Sequence, residues 1–138
     1  MAQFLPNAAT LFLAGLTQAE LALSKLRLWV DGEISPSIAT TRAELIAAEA
    51  AYTGYTAGGE VLTAWFDPLF NPIGGASIDS EKVQFQTATP YTVGENIGGW
   101  WVETAAGDVI VIGTFDEPIP MSGAGAGFPM SASIVFPN

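Results

Sequence analysis

The sequence contains no cysteine and no histidine. Without cysteine the chain has no disulfide and no thiolate nucleophile. Without histidine it lacks the commonest general base and the commonest metal ligand of proteins. Carboxylates remain, and the closest pairs are Asp116 with Glu117 and Asp79 with Glu81. Because acidic side chains are mostly solvated surface charges, we predict no catalytic residue, no metal site and no cofactor.

Positive charge is also scarce. Four Lys and Arg residues stand against 14 Asp and Glu, which gives a formal net charge of −10. Nucleic-acid binding needs clustered Lys and Arg to meet phosphates, so we exclude a nucleic-acid partner. No basic residue precedes Lys25, whereas a signal peptide begins with a basic region, so we expect synthesis in the cytoplasm. No stretch reaches the ~18 apolar residues that span a bilayer, so we predict no membrane partner.

Charged residues make up only 13% of the chain, whereas hydrophobic residues make up 49%. The surface of a soluble monomer is usually about 25–35% charged. The 138 residues are enough for one domain with a core and too few for two. We therefore expect one domain that buries much of its surface in an assembly.

The stretch 98–115 predicts a central β-hairpin. Gly107-Asp108 is a turn signal, and the return strand from Val109 is rich in β-branched residues with apolar side chains on both faces. Both faces of that strand must therefore be covered. Trp100 and Trp101 point to opposite faces, so we expect at most one of them in the core. The other is then covered by the N-terminal segment, a partner subunit or a sugar ring.

Residues 1–24 differ from the rest, and we predict a helical docking segment there, with residues 25–138 as the β-domain. Capping signals begin two short apolar helices, which are not stable alone and must pack on this domain or on a partner. Residues 25–31 alternate as a strand, with Leu26 and Leu28 facing inward and Arg27 and Trp29 facing solvent. Trp29 is therefore a candidate contact aromatic.

The remaining pattern of short strands and Gly/Pro turns predicts a mainly β fold. Further elements are expected as strands at 60–66, 78–87 and 131–136, one short internal helix capped by Thr41 and Glu44, an apolar loop at 67–77 and a break in the ladder at 116–120. Together they indicate a single-domain antiparallel β-sandwich or barrel.

Several short motifs occur in a recognisable order. They are Leu26-Arg27-Leu28-Trp29, the Pro36 loop, Tyr52-Thr53-Gly54-Tyr55, Ala64-Trp65, Val83-Gln84-Phe85, Gly98-Gly99-Trp100-Trp101-Val102-Glu103-Thr104, Ala106-Gly107-Asp108 and Phe115-Asp116-Glu117-Pro118-Ile119-Pro120-Met121. This order, over roughly residues 26–136, resembles small structural virion proteins of tailed bacteriophages, of the capsid decoration (cement) or head-fibre kind. Two departures are the tryptophan pair, where that group usually has tyrosines, and the N-terminal segment.

The resemblance implies a non-enzymatic protein on the capsid exterior. It would bind the major capsid protein and copies of itself, as a homo-oligomer and expected trimer, and stabilise the shell by binding alone. We predict its contacts at apolar positions of the N-terminal segment, the 67–77 loop and the tryptophans: Leu11, Phe12, Leu16, Trp29, Leu69, Phe70, Ile73, Trp100 and Trp101.

Two other classes stay open at this point. A phage tail or receptor- or carbohydrate-binding module would present exposed aromatic side chains, with or without calcium. A glycosidase would need two carboxylates facing each other across the scissile bond, for which Asp116 and Glu117 are the nearest candidates.

Overall fold

The computed structural model describes residues 2–4, 21–66, 69–70 and 76–136. Within these ranges the chain is mainly β, with antiparallel sheets and almost no helix. The elements are β1 (Ala2–Phe4), β2 (Ser24–Val30), α1 (Arg42–Ala47), β3 (Glu60–Leu62), β4 (Leu69–Phe70), β5 (Ala76–Asp79), β6 (Val83–Gln86), β7 (Glu95–Glu103), β8 (Val109–Met121), β9 (Gly127–Met130) and β10 (Ser133–Phe136).

The predicted central hairpin is confirmed as β7 and β8. They pair antiparallel, with Trp100 opposite Gly113 and Trp101 opposite Ile112. Gly107 in the connecting turn has φ +95°, a conformation that glycine adopts without a Cβ clash. The hairpin occupies the middle of a five-stranded sheet in the order β1-β8-β7-β2-β3.

Two smaller sheets complete the described structure. One contains three strands in the order β10-β5-β4, and the other pairs β6 with β9. Every pairing between described strands is antiparallel. None of these sheets closes on itself among the described strands, so a barrel is not seen there.

Apolar side chains are buried on both faces of the large sheet. One face carries Trp100 into a core that it shares with Ile78, Phe85 and Ile134 of the smaller sheets. The other face carries a second cluster, Trp29, Trp101 and Ile112, which packs against Leu45 and Ala48 at α1. The expectation that both faces of the hairpin are covered is therefore confirmed, and a six-residue helix covers one of them.

Helix α1 begins with the capping box that the sequence predicts. The Oγ1 atom of Thr41 accepts from the Glu44 backbone N–H at 3.3 Å, and a Glu44 carboxylate oxygen accepts from the Thr41 N–H at 2.9 Å. The chain that follows α1 is hydrogen-bonded to β2, since Val30 N–H donates to Ala48 C=O at 2.9 Å. These bonds hold the short helix against the sheet.

The predicted N-terminal helical segment is not supported. Residues 2–4 form a strand, β1, that pairs with residues 112–114 of β8 and so belongs to the large sheet. Leu11, Phe12 and Leu16 lie outside the described residues. The boundary predicted at residue 25 lies one residue inside β2, which begins at Ser24.

Two predicted strands are shorter than expected because side chains intercept their hydrogen bonds. The strand at 60–66 ends as β3 at Leu62, since the Thr63 N–H donates to the Glu81 carboxylate at 2.9 Å instead. The strand at 78–87 divides into β5 and β6. Between them, the Ser80 hydroxyl donates to the backbone C=O of Glu81 at 2.9 Å and accepts from the N–H of Ala132.

The predicted break in the ladder is confirmed in part, and the predicted loop at 67–77 is wrong. Strand β8 continues to Met121, but its register against β7 shifts from Thr114 opposite Gly99 to Ile119 opposite Ile97, which leaves residues 115–118 without a partner in β7. Pro118 lies in this unpaired stretch, and Pro120 pairs with β7 in a half of β8 that has no other described neighbour, where proline is tolerated. Leu69–Phe70, expected in a loop, form β4 against β5. The last strand keeps its predicted orientation, with Ile134 buried.

Glycines opposite the tryptophans make the central packing possible. A Cβ on Gly113 would overlap the indole of Trp100, and a Cβ on Gly99 would overlap the indole of Trp29. The Trp29 Nε1–H also donates to the Gly113 carbonyl at 3.3 Å. Each large ring therefore lies directly over bare backbone, on opposite faces of one hairpin.

We expect Gly113→Ala to destabilise the fold by about 1–3 kcal/mol, the usual cost of overpacking a tight core. The measurement is the free energy of unfolding in urea. Ala124→Ser, in an exposed turn, adds one atom without burial and is the control, expected to change stability by less than about 0.5 kcal/mol. Equal stability of the two variants would contradict the packing argument.

Candidate functional site

The charged cluster beside α1 is the densest group of ionic side chains in the described structure. Arg27 donates from Nη1 to Glu103 at 3.0 Å and from Nε to Glu49 at 2.6 Å, and its Nη2 also contacts Glu49. Arg42 donates to the second Glu103 oxygen at 3.0 Å. Arg27 and Glu103 are buried, so this cluster binds β2 to β7 and to the segment around α1.

Aromatic contacts complete the same cluster. The Trp101 Nε1–H donates to Glu103 at 2.9 Å, and the Arg27 guanidinium lies 5.2 Å from the centroid of the Trp101 ring, a cation–π distance. Glu49 also accepts from the Gly58 N–H at 2.9 Å. The charged groups of the cluster pair with one another, as expected of residues that stabilise the fold.

Arg27 and Trp29 do not face solvent as the strand pattern predicts. Trp29 is only 3% exposed, and Arg27 is buried. The physical reason is α1, whose Leu45 covers that side of β2 and β7. The two-residue period gave the correct alternation, but it carried no information on which element covers the second face.

Trp100 and Trp101 are both buried within this chain, so the expectation that at most one belongs to a core is wrong. Trp100 lies in the core between the sheets, and Trp101 lies in the cluster under α1. None of the three tryptophans Trp29, Trp100 and Trp101 presents substantial surface to a partner or a sugar ring.

The remaining predicted contact residues have limited description. Leu69 and Phe70 form β4, in register with Ser77 and Ala76 of β5. Ile73, like the three residues of the N-terminal segment, lies outside the described ranges.

Exposed apolar side chains occur where the sequence analysis did not place contacts. Phe66, which follows the isolated bridge at Trp65 and lies beside β5, is 59% exposed, and Val135 of β10 is 49% exposed. Ile78 and Ile134 point inward, so the alternate positions on the same strands point outward. We call this surface the outer face, and its residues are Phe66, Ser77, Asp79, Ser133 and Val135.

The outer face is continuous along the strand pairing. Val135 is directly opposite Ser77, and Ser133 is directly opposite Asp79. The Phe66 N–H donates to the Asp79 carbonyl at 2.8 Å, which puts Phe66 beside Asp79 on the other side of β5. Sequence alternation at 133–136 could have indicated Val135, but Phe66 follows Trp65 in a stretch that leaves the strand ladder.

An open groove of about 490 Å³ lies along the end of β2. Trp29, Asp31, Ile34 and Pro36 line it together with Thr114 of β8. A groove of this openness surrounds little of a ligand, whereas small-molecule sites bury most of the ligand surface. The groove is therefore a weaker ligand site than the second pocket, which described residues also line.

A smaller, more enclosed pocket of about 190 Å³ lies between the 52–56 turn and β6. We call it the tyrosine pocket, and its lining is predominantly polar: Tyr52, Gly54, Tyr55, Thr56, Glu60, Gln84, Phe85 and Gln86. Burial, reinforced by the carboxylates of Glu60 and Glu95, raises the pKa of Tyr52 to about 12. Burial also raises the pKa of Tyr55, whose hydroxyl accepts from the Leu28 N–H at 3.2 Å.

Of the carboxylates in the two candidate acid pairs, Glu81 has defined hydrogen-bond partners. Glu81 accepts from the Thr63 N–H and hydroxyl, at 2.9 and 2.8 Å, and these bonds lower its pKa. Among the described residues, no three Asp or Glu side chains lie close enough together to hold a metal ion. The described part of the chain also contains no helix long and apolar enough to cross a membrane.

Comparisons with known proteins give no relative: no family model, no curated protein and no solved structure matches this chain.

We expect Glu103→Gln to lower the free energy of unfolding by at least about 2 kcal/mol, because it removes the charge that pairs with the buried Arg27. Urea denaturation monitored by tryptophan fluorescence measures the change. Glu117→Gln, at an exposed position of β8, removes the same charge from the chain and should change stability by less than about 0.5 kcal/mol. If both variants lost equal stability, net charge rather than the buried tie would be the cause.

Proposed function

We propose that this chain is a structural protein of a tailed-bacteriophage virion. It binds the exterior of the capsid as a homo-oligomer, expected as a trimer, and it stabilises the shell through contacts with the major capsid protein. The order of motifs over residues 26–136 supports the virion assignment. The structural observation that supports the binding role is the outer face, where Val135 of β10 and Phe66 beside β5 are both exposed.

The core supports a sandwich as the detailed fold. Side chains from the large sheet, including Leu28 and Val102, share one cluster with Ile78, Phe85 and Ile134 from the smaller sheets. Sheets that share one interior in this way are the layers of a β-sandwich. We infer that the outer face is the solvent side of one of those layers.

The outer face has the character of an association surface. Phe66 and Val135 are apolar, Ser77 and Ser133 are small and uncharged, and Asp79 beside Phe66 is the charged residue of the face. Exposed apolar side chains surrounded by polar ones on one surface are typical of protein contact sites. Full burial of one such side chain contributes about 1.5–3 kcal/mol, so a contact repeated between subunits gains from every copy.

The sheet edge strengthens this interpretation. Strand β10 is the edge strand of its sheet within the described structure, and it carries Val135. An edge strand offers unpaired backbone donors and acceptors to another chain. The tryptophans were predicted to contact partner subunits. In this proposal, β10 and Phe66 make those contacts instead.

We expect the purified protein to sediment as a homo-oligomer, and Val135→Asp to raise its dissociation constant at least about tenfold, since the new carboxylate would be desolvated in the contact. Analytical ultracentrifugation over a concentration series measures this. Val93→Asp is the matched control, because Val93 is also 49% exposed but lies off the outer face. A monomeric wild-type protein, or equal effects of the two variants, would contradict association through the outer face.

The capsid location makes a separate prediction. In purified particles of the phage that encodes this chain, we expect a copy number comparable to that of the major capsid protein. Quantitative mass spectrometry of the tryptic peptide 28–42 against an isotope-labelled standard measures it. A handful of copies per particle would assign the chain to the tail or a vertex, and its absence from particles would end the virion proposal.

A further inference from the structure

The Tyr52 side chain is buried, but the packing of the fold does not use its hydroxyl. Tyr52 is 2% exposed, yet its hydroxyl forms no hydrogen bond with any other described residue. Among the described residues, every side-chain nitrogen or oxygen that is fully buried has a hydrogen-bond partner. The Tyr52 hydroxyl has none, so it must be accessible from outside the core. The side chain lines the tyrosine pocket, so the free hydroxyl has this pocket as its outlet.

Glu60 brings a second group with acceptor capacity to the same pocket. One of its carboxylate oxygens, Oε1, accepts from the Thr56 hydroxyl at 3.1 Å, which orients the group. The other oxygen forms no hydrogen bond with a described residue. Gln84 and Gln86 of β6 add amide groups, which both donate and accept.

We propose that the tyrosine pocket binds a neutral, hydroxyl-rich ligand, namely one ring of a saccharide. Sugar hydroxyls both donate and accept, and the pocket offers the Tyr52 hydroxyl, the Glu60 carboxylate and the β6 amides to match them. The carboxylate and the net charge of −10 disfavour an anion. The volume of about 190 Å³ is below the roughly 300 Å³ at which sites for drug-sized ligands begin, so it suits a single small ring.

The protonation state of the pocket agrees with this chemistry. With a pKa of about 12, Tyr52 keeps its proton at neutral pH and remains a donor. The group faces the carboxylates of Glu60 and Glu95, which both favour the neutral phenol. The Tyr52 hydroxyl is therefore a donor in the pocket, beside the acceptor oxygens of Glu60.

The walls of the pocket are held before any ligand arrives. The Tyr52 and Tyr55 rings meet edge to face at 5.5 Å between centroids, and the Tyr55 N–H donates to the Tyr52 carbonyl at 3.0 Å. The turn is tied to its surroundings by the Thr53 N–H on the Val93 carbonyl at 2.9 Å and by the Ala88 N–H on the Thr53 carbonyl at 3.0 Å. Pre-formed walls reduce the entropy that binding must overcome.

The saccharide site goes beyond the virion proposal and does not rest on it. The residues that line the pocket are distinct from those of the outer face, so either binding activity stands if the other fails. Saccharide binding by a monomer found in no particle would leave this inference intact.

The test uses the full chain and four probes, the methyl glycosides of glucose, galactose, mannose and N-acetylglucosamine. Each is titrated into ¹⁵N-labelled protein while amide chemical shifts are recorded. We expect at least one glycoside to shift the amides of Gly54, Thr56 and Gln86 together, in a saturable manner. If none of the four shifts them, the proposal is overturned.

A substitution at Tyr52 tests whether its hydroxyl contacts the saccharide. Tyr52→Phe keeps the buried ring and removes only the oxygen, and we expect the dissociation constant of the bound glycoside to rise about two- to tenfold, the value of one hydrogen bond. Tyr91→Phe is the matched control, since the Tyr91 hydroxyl donates to the Met121 carbonyl at 3.3 Å outside the pocket lining. Glu60→Gln is a second variant, for which we expect weakened binding as well.

Ethylammonium is the competing probe, because a carboxylate beside aromatic rings also suits an amine. Binding of ethylammonium in the pocket without binding of any glycoside would overturn the saccharide assignment. Equal affinities of Tyr52→Phe and Tyr91→Phe for the glycoside would overturn the role of the Tyr52 hydroxyl. Thermal melting of each variant verifies that it is folded.

Discussion

The fold depends on large indole rings lying over bare backbone on both faces of one hairpin. Trp100 lies over Gly113 on the core side, and Trp29 lies over Gly99 on the side of α1. Neither ring could come so close if the opposing residue carried a Cβ. Both contacts are made to the β7–β8 hairpin, one on each face. The hairpin therefore contributes side chains to two separate cores, one on each side.

The second core, the cluster of Trp29, Trp101 and Ile112 under α1, buries charged side chains next to it, and these must pair with one another. Covering Trp101 with a helix of six residues also covers Arg27 and Glu103, which are then desolvated and stable only as partners. Glu49, Arg42 and the Trp101 N–H complete the set. The cluster pairs two of the four basic residues of the chain with two of its fourteen acidic ones, so the charges of the cluster balance and the net charge of −10 belongs to the remaining residues.

Local patterns predicted the fold where local forces decide it. The Gly107 turn, the capping box at Thr41 and the inward direction of Ile134 depend on backbone conformation and alternation, which neighbouring residues determine. The burial of Trp29 was not predictable in this way, because it depends on where α1 lies on the sheet. The tyrosine pocket was missed for the same reason: the Tyr52–Tyr55 turn and β6 are separated in sequence, and no local signal joins them. Phe66 and Val135 likewise meet only through β5.

The chemistry of the outer face limits the partner that it suits. Asp79 is the acidic residue of this surface and lies beside Phe66, opposite Ser133 in the pairing. A contact that covers the apolar side chains also desolvates that carboxylate, at a cost unless a donor meets it. Chains that each carry a charge of −10 repel one another, although at physiological ionic strength screening limits that repulsion to about 8 Å. A surface with apolar residues around one Lys, Arg or free backbone N–H therefore complements the outer face, and a self-contact through Val135 has to supply such a donor to Asp79 or leave Asp79 in solvent.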